Sequence, residues 1–133
     1  DRIRAAHVWV LAEHDGVPVG YAYASSHNER AAYRWAADVA VYIDSEHHRA
    51  GVGRALYTRL FEHLRAIGVW TLCAGITQPN DASNGLHREM GFVPVGTYRR
   101  IGWKAGAWHD VLWLQLDLRP GEPGPPSELV IAP

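Results

Sequence analysis

The chain has 133 residues, and 13 Lys and Arg against 14 Asp and Glu leave a formal charge of −1 with the histidines neutral. That length fits one compact domain with a real core, and the balance of charge excludes a surface built on phosphate neutralisation, so no nucleic-acid partner is expected. A single cysteine, Cys73, excludes an intrachain disulfide and a paired-thiolate metal site, and fits a reducing, cytoplasmic setting.

No apolar stretch reaches the length of a bilayer span, and the N-terminus lacks a charged start followed by a hydrophobic segment, so a soluble protein without membrane association is expected. The chain opens on Asp1 rather than methionine, which suggests a segment upstream.

Residues 8–13 and 19–24 are short β-prone runs around Asp15-Gly16, a strong hairpin signal. Residues 25–34 are polar and loop-like or briefly helical, and residues 35–43 resume a strand. From Gly51, apolar side chains at Val52, Leu56, Leu60, Leu64 and Ile67 mark one helical face, which Gly68 ends. A strand over 69–77 is broken by Pro79-Asn80-Asp81 before a second helix over 82–90, closed by Gly91. Residues 92–101 and 108–118 read as an antiparallel pair joined by a loop over 102–107, and residues 119–133 as a Pro/Gly-rich, extended or mobile tail. The order β-β-β-α-β-α-β-β is a mixed α/β sheet in which only the crossover between the third and fourth strands demands parallel neighbours. Such a pair can open at its C-terminal edge, where ligands collect.

The run from Tyr42 to Leu56 reads as a strand, a basic glycine loop and a helix N-terminus. Gly51 and Gly53 let the backbone approach an anion, helix N–H groups point at it, and Arg49 and Arg54 add charge. A dinucleotide loop needs a third glycine and a later acidic residue, and a triphosphate loop needs Gly-Lys-Ser/Thr; neither is present. Coenzyme A and an unliganded turn remain open.

Two motifs together resemble the GNAT acetyltransferase superfamily. The first is His48-Arg49-Ala50-Gly51-Val52-Gly53, and the second is Asn80, Ser83, Leu86, Gly91 and Phe92 with His87 in place of the usual tyrosine. With Val41-Tyr42-Ile43, Leu56-Tyr57-Thr58, Pro79-Asn80-Asp81 and Trp108-His109-Asp110-Val111, the resemblance narrows to the phosphinothricin and methionine sulfoximine N-acetyltransferases. It implies a mixed, mostly antiparallel sheet flanked by helices, with a parallel pair splayed around the cofactor. A domain over residues 1–118 and a tail over 119–133 follow, with the family's first strand and first helix preceding Asp1.

The resemblance also implies roles. Backbone groups of Val41 and Ile43 pair with the pantetheine arm of acetyl-CoA, and Arg49, Ala50, Gly51, Val52, Gly53 and Arg54 wrap its pyrophosphate. Asn80 and Ser83 touch the cofactor or simply cap the second helix. Arg30, Tyr33 and Tyr57 contact the acceptor amino acid; Arg30 has the paired donors for a carboxylate or phosphinate, whereas a core-edge role stands beside the acceptor role for Tyr57. His87 and Asp38 are the catalytic candidates. His87 takes the amine proton or protonates the departing thiolate. Asp38 stands where the family carries glutamate, and its shorter reach points to action through water or by orienting His87. Cys73 receives no role, and Trp108-His109-Asp110 supports the site or fixes the β-turn and a dimer contact. No metal is expected. The implied activity is acetyl transfer to the α-amine of a small amino acid, in a homodimer by family resemblance; the alternatives are another small amine, since Asn28 stands where the family often has lysine, or a non-catalytic acetyl-CoA-binding domain.

Overall fold

A computed structural model describes residues 8–48 and 51–130. Strands β1 (Val8–His14) and β2 (Val17–Ser26) form the expected hairpin, with Asp15 and Gly16 at φ 51° and 78°. Two successive left-handed residues make the turn whose twist matches its strands. Strand β3 (Ala36–Ile43), helix α1 (Val52–Ile67), strand β4 (Thr71–Thr77), helix α2 (Asp81–Glu89) and strands β5 (Val93–Lys104) and β6 (Ala107–Asp117) follow. The sheet order is β1-β2-β3-β4-β6-β5, antiparallel throughout except for β3 with β4. This is the mixed α/β architecture expected, and α1 is the crossover that makes one pair parallel.

One detail departs from the sequence expectation. The loop over 102–107 is a two-residue turn, because Ala105 and Gly106 take φ 51° and 75° and the flanking strands pair down to Lys104↔Ala107. Alanine in a left-handed position carries no turn signal, so the strands read as shorter than they are. After β6 the chain makes a turn over 119–122, and the segment to 130 is fastened to the domain: the Trp35 indole donates to the Ser127 carbonyl at 2.9 Å, Arg34 pairs with Glu128 at 2.7 Å, and Val130 N–H donates to the Ile67 carbonyl at 2.9 Å.

One face of the sheet is covered by helices. Leu56, Leu60 and Leu64 of α1 meet Ala22, Ala24, Val39, Leu72, Ala74 and Leu114, all buried. Full burial of each leucine is worth about 1.5–3 kcal/mol. Alternation along the strands sends the neighbouring residues to the other face, where Trp9, Tyr21, Tyr23 and Tyr42 pack in stacked and tilted pairs with ring centroids 5.1–6.4 Å apart. No helix among the described residues is long and apolar enough to cross a membrane.

Candidate active site

The parallel pairing is short. It runs through Ala36↔Thr71, Ala37↔Leu72 and Asp38↔Cys73 and then stops, while β3 continues along β2 to Ile43 and β4 continues along β6 to Thr77. The two strands diverge from Asp38 onward. Between them lies a cleft of about 210 Å³ whose lining includes Val41, Gly75, Asn80, Ser83, His87 and Lys104. Among the described residues its β3 wall is strand edge with no partner strand, the kind of edge that takes up an extended amide chain.

At the end of β3 the chain turns into α1. Gly51 caps the helix in the left-handed region at φ 77°, with open space where a Cβ would point, so it is required by conformation. Gly53 is required by packing, because a Cβ there would lie 2.8 Å from Leu86 Cδ2 and 2.9 Å from Ile43 Cδ1. It seats the helix N-terminus against α2. The first-turn N–H groups of α1 have the orientation that receives an anion. Arg54 is half-exposed and lies 3.6 Å from Glu89, and His48 Nε2–H donates to the Ile43 carbonyl at 3.1 Å. Arg49 and Ala50 lie outside the described residues.

On the helix side, His87 is 2% exposed, and both ring nitrogens are engaged. Nδ1–H donates to the Ser83 carbonyl at 2.7 Å, which leaves the Nε2 lone pair to accept the Tyr57 hydroxyl at 2.8 Å. Burial pushes the imidazole below its ordinary range, against the Ser83 carbonyl, which pulls the other way. Burial also holds the Tyr57 phenol above its ordinary range, so it stays a donor. Asn80 caps α2 with Oδ1 accepting the Ser83 N–H at 3.1 Å. Its side-chain N–H₂ makes no hydrogen bond to a described residue, so capping and a ligand contact are compatible.

On the other face, the Asp38 carboxylate accepts from His27 Nδ1–H at 2.6 Å. Asp38 is 3% exposed, while the His27 side chain is 39% exposed. The Cys73 thiol, opposite Asp38, is pushed up to about 11 by burial and by the Asp38 charge, so it stays neutral. The His27 ring meets Trp113 edge-on at 6.2 Å, and Trp113 lies over Gly75, where a Cβ would sit 2.9 Å from the indole. The indole N–H of Trp113 is buried and makes no hydrogen bond to a described residue.

Residues 1–92 match the acetyltransferase (GNAT) family. The chain belongs to that family. It is 40% identical over 126 residues to a phosphinothricin N-acetyltransferase of Streptomyces viridochromogenes, covering 94% of this chain and 69% of that protein. It is 33% identical over 109 residues to an L-methionine sulfoximine/L-methionine sulfone acetyltransferase of Salmonella typhimurium, covering 82% and 64%. A crystal structure of a GNAT phosphinothricin acetyltransferase from Sinorhizobium meliloti in complex with AcCoA superposes with a TM-score of 0.84 at 34% identity, covering 90% and 65%. The chain thus spans about two thirds of the length of these GNAT relatives.

Within the GNAT fold, the site expected from sequence divides. Val41, Asn80, Ser83 and His87 line one cleft, with Ile43, Gly51, Val52, Gly53 and Arg54 at the glycine-loop end of β3. Arg30 and Tyr33 sit on an exposed turn between β2 and β3, outside the cleft lining. Tyr57 is a correction: with 0% exposure it presents nothing to an acceptor, because its ring packs on Phe61 and Phe92 and its hydroxyl is spent on His87. Of the two roles expected for Asp38, orienting His87 is excluded, since both nitrogens of that ring are taken by Ser83 and Tyr57; the imidazole partner of Asp38 is His27. The Trp108-His109-Asp110 run fastens backbone: His109 meets the Gln78 and Lys104 carbonyls at 2.9 and 3.0 Å, and Asp110 accepts from Arg100 N–H at 2.8 Å. His27, Trp113 and Lys104 were missed. Only the register Ser25↔Asp38 brings residue 27 beside residue 38, and a sequence does not display register.

Proposed function

We propose that this chain is an acetyl-CoA-dependent N-acetyltransferase that acetylates the α-amine of a small amino acid such as phosphinothricin, methionine sulfoximine or methionine sulfone. The single observation that carries the reading is the splay of β3 from β4 beyond Asp38, with the N-terminus of α1 at one end. In this reading the pantetheine arm takes the strand place beside Val41 and Ile43, and the pyrophosphate takes the α1 N-terminus from Arg49 to Arg54. Asn80 Nδ2 and Ser83 stand along the same wall. The thioester then lies at the apex of the splay, within reach of His87 from the helix side and of the Asp38 carboxylate from the other. The names of the relatives at 40% and 33% identity support the amino-acid acceptor. In this reading Arg30 and Tyr33, on the exposed turn between β2 and β3, bind its acidic end.

A second reading, another small amine, is favoured by Asn28, whose side chain accepts the Arg30 N–H at 2.9 Å and so serves the turn rather than an anion. Thiol release from acetyl-CoA against a panel of amines decides between them. Turnover with phosphinothricin or methionine sulfone supports the first reading, and failure of both while another amine reacts overturns it.

A further inference from the structure

Two imidazoles flank the apex, and only one has a lone pair to offer. His87 Nε2 already accepts from Tyr57, and the ring is buried. At His27 the arrangement is the reverse. A carboxylate can only accept, so Asp38 fixes the proton on Nδ1 and leaves the lone pair on Nε2, which makes no hydrogen bond to a described residue.

We propose that His27 is the general base of acetyl transfer and that Asp38 is its positioning residue; this rests on the acetyltransferase reading above. Asp38 is the last residue of the parallel pairing, and the His27 ring stands beside Trp113, which covers Gly75 on the wall of the cleft. The dyad therefore sits at the apex. In the step, an acceptor ammonium gives one proton to His27 Nε2, and the freed nitrogen lone pair attacks the thioester carbonyl carbon. The C–S bond breaks, the second nitrogen proton passes to the departing thiolate, and the amide and free thiol result. His27 then releases its proton to solvent through its exposed edge.

Asp38, His27 and Cys73 also bring three potential ligand atoms within 4.8 Å, but the geometry disfavours a shared ion. Two ligands on one tetrahedral zinc at about 2.0–2.1 Å stand roughly 3.3 Å apart, whereas His27 and Asp38 are 2.6 Å apart, a hydrogen-bond distance. Among the described residues, the titratable groups on elements packed around His27 are Asp38 on β3, Cys73 on β4 and, behind Trp113, Tyr98 on β5. The Cys73 thiol is neutral, so among these groups the Asp38 carboxylate is the charge next to the imidazole.

The test is the pH profile of kcat/KM for wild type, His27→Asn, His27→Ala and Asp38→Asn, with acetyl-CoA affinity by calorimetry and thermal melts on each. His27→Asn retains a donor to Asp38, so melting and acetyl-CoA affinity are expected to hold while kcat/KM near neutral pH falls on the order of 100-fold. Its rate should climb with pH and meet wild type where the amine deprotonates unaided. Added imidazole should partly restore His27→Ala, and Asp38→Asn should fall with His27→Asn because the reversed tautomer puts a proton on Nε2. Rates within threefold of wild type with an unchanged profile overturn the base, as does loss of acetyl-CoA binding or folding in every variant. No turnover by wild type with any amine overturns the acetyltransferase reading itself.

Discussion

His87 and His27 are tethered in the same way, each by an oxygen acceptor on Nδ1, at 2.7 Å from the Ser83 carbonyl and 2.6 Å from the Asp38 carboxylate. Their surroundings differ in every other respect. His87 is buried against Tyr57 and Phe92 and has a donor on its second nitrogen; His27 is half-open, against a buried carboxylate. A carbonyl fixes a tautomer without offering a counter-charge, whereas a carboxylate also supports the imidazolium once it forms. On the proposal above, the same residue type is held by packing in one place and accepts the proton in the other.

The sharpest way to break this contrast is stability. His87→Ala leaves the Tyr57 hydroxyl without a partner and a hole beside Phe92, and is expected to lower the unfolding free energy by about 2–4 kcal/mol in urea titration. His27→Asn should cost no more than about 1 kcal/mol. Equal losses would erase the distinction. Tyr57→Phe comes next, at about 1–2 kcal/mol, since it removes only the hydroxyl bonded to His87. Acetyl transfer should survive that change within a few-fold; a drop on the order of 100-fold would instead move the proton chemistry to the helix side.

The smallest effect is in pH. The unfolded chain protonates His87 as pH falls through about 6.5, and the folded chain resists until lower pH because burial disfavours the cation. Stability therefore falls as pH drops from neutral through that range, and the slope of melting temperature against pH should be shallower in His87→Asn. A slope unchanged by the substitution would mean His87 protonates freely in the fold.

Much of the fold was legible because its signals are local. Asp15-Gly16, the apolar spacing from Val52 to Ile67 and the Asn80 cap each act within a few residues. The glycine loop was legible as a loop, yet its two glycines serve different ends: Gly51 is needed for its backbone angle and Gly53 for the approach of Ile43 and of Leu86, the latter from an element distant in sequence. His87 was found through its motif, but its motif does not reveal that Tyr57 occupies its lone pair. His27 carries no local signal at all.

The sequence by itself determined the order of elements, the single parallel crossover and the family, since periodicity, turn chemistry and motif spacing are properties of neighbouring residues. Tertiary structure decided which histidine meets which oxygen. That choice depends on strand register and on which sheet face a side chain takes, and a shift of one residue would turn Asp38 into the core and separate it from His27.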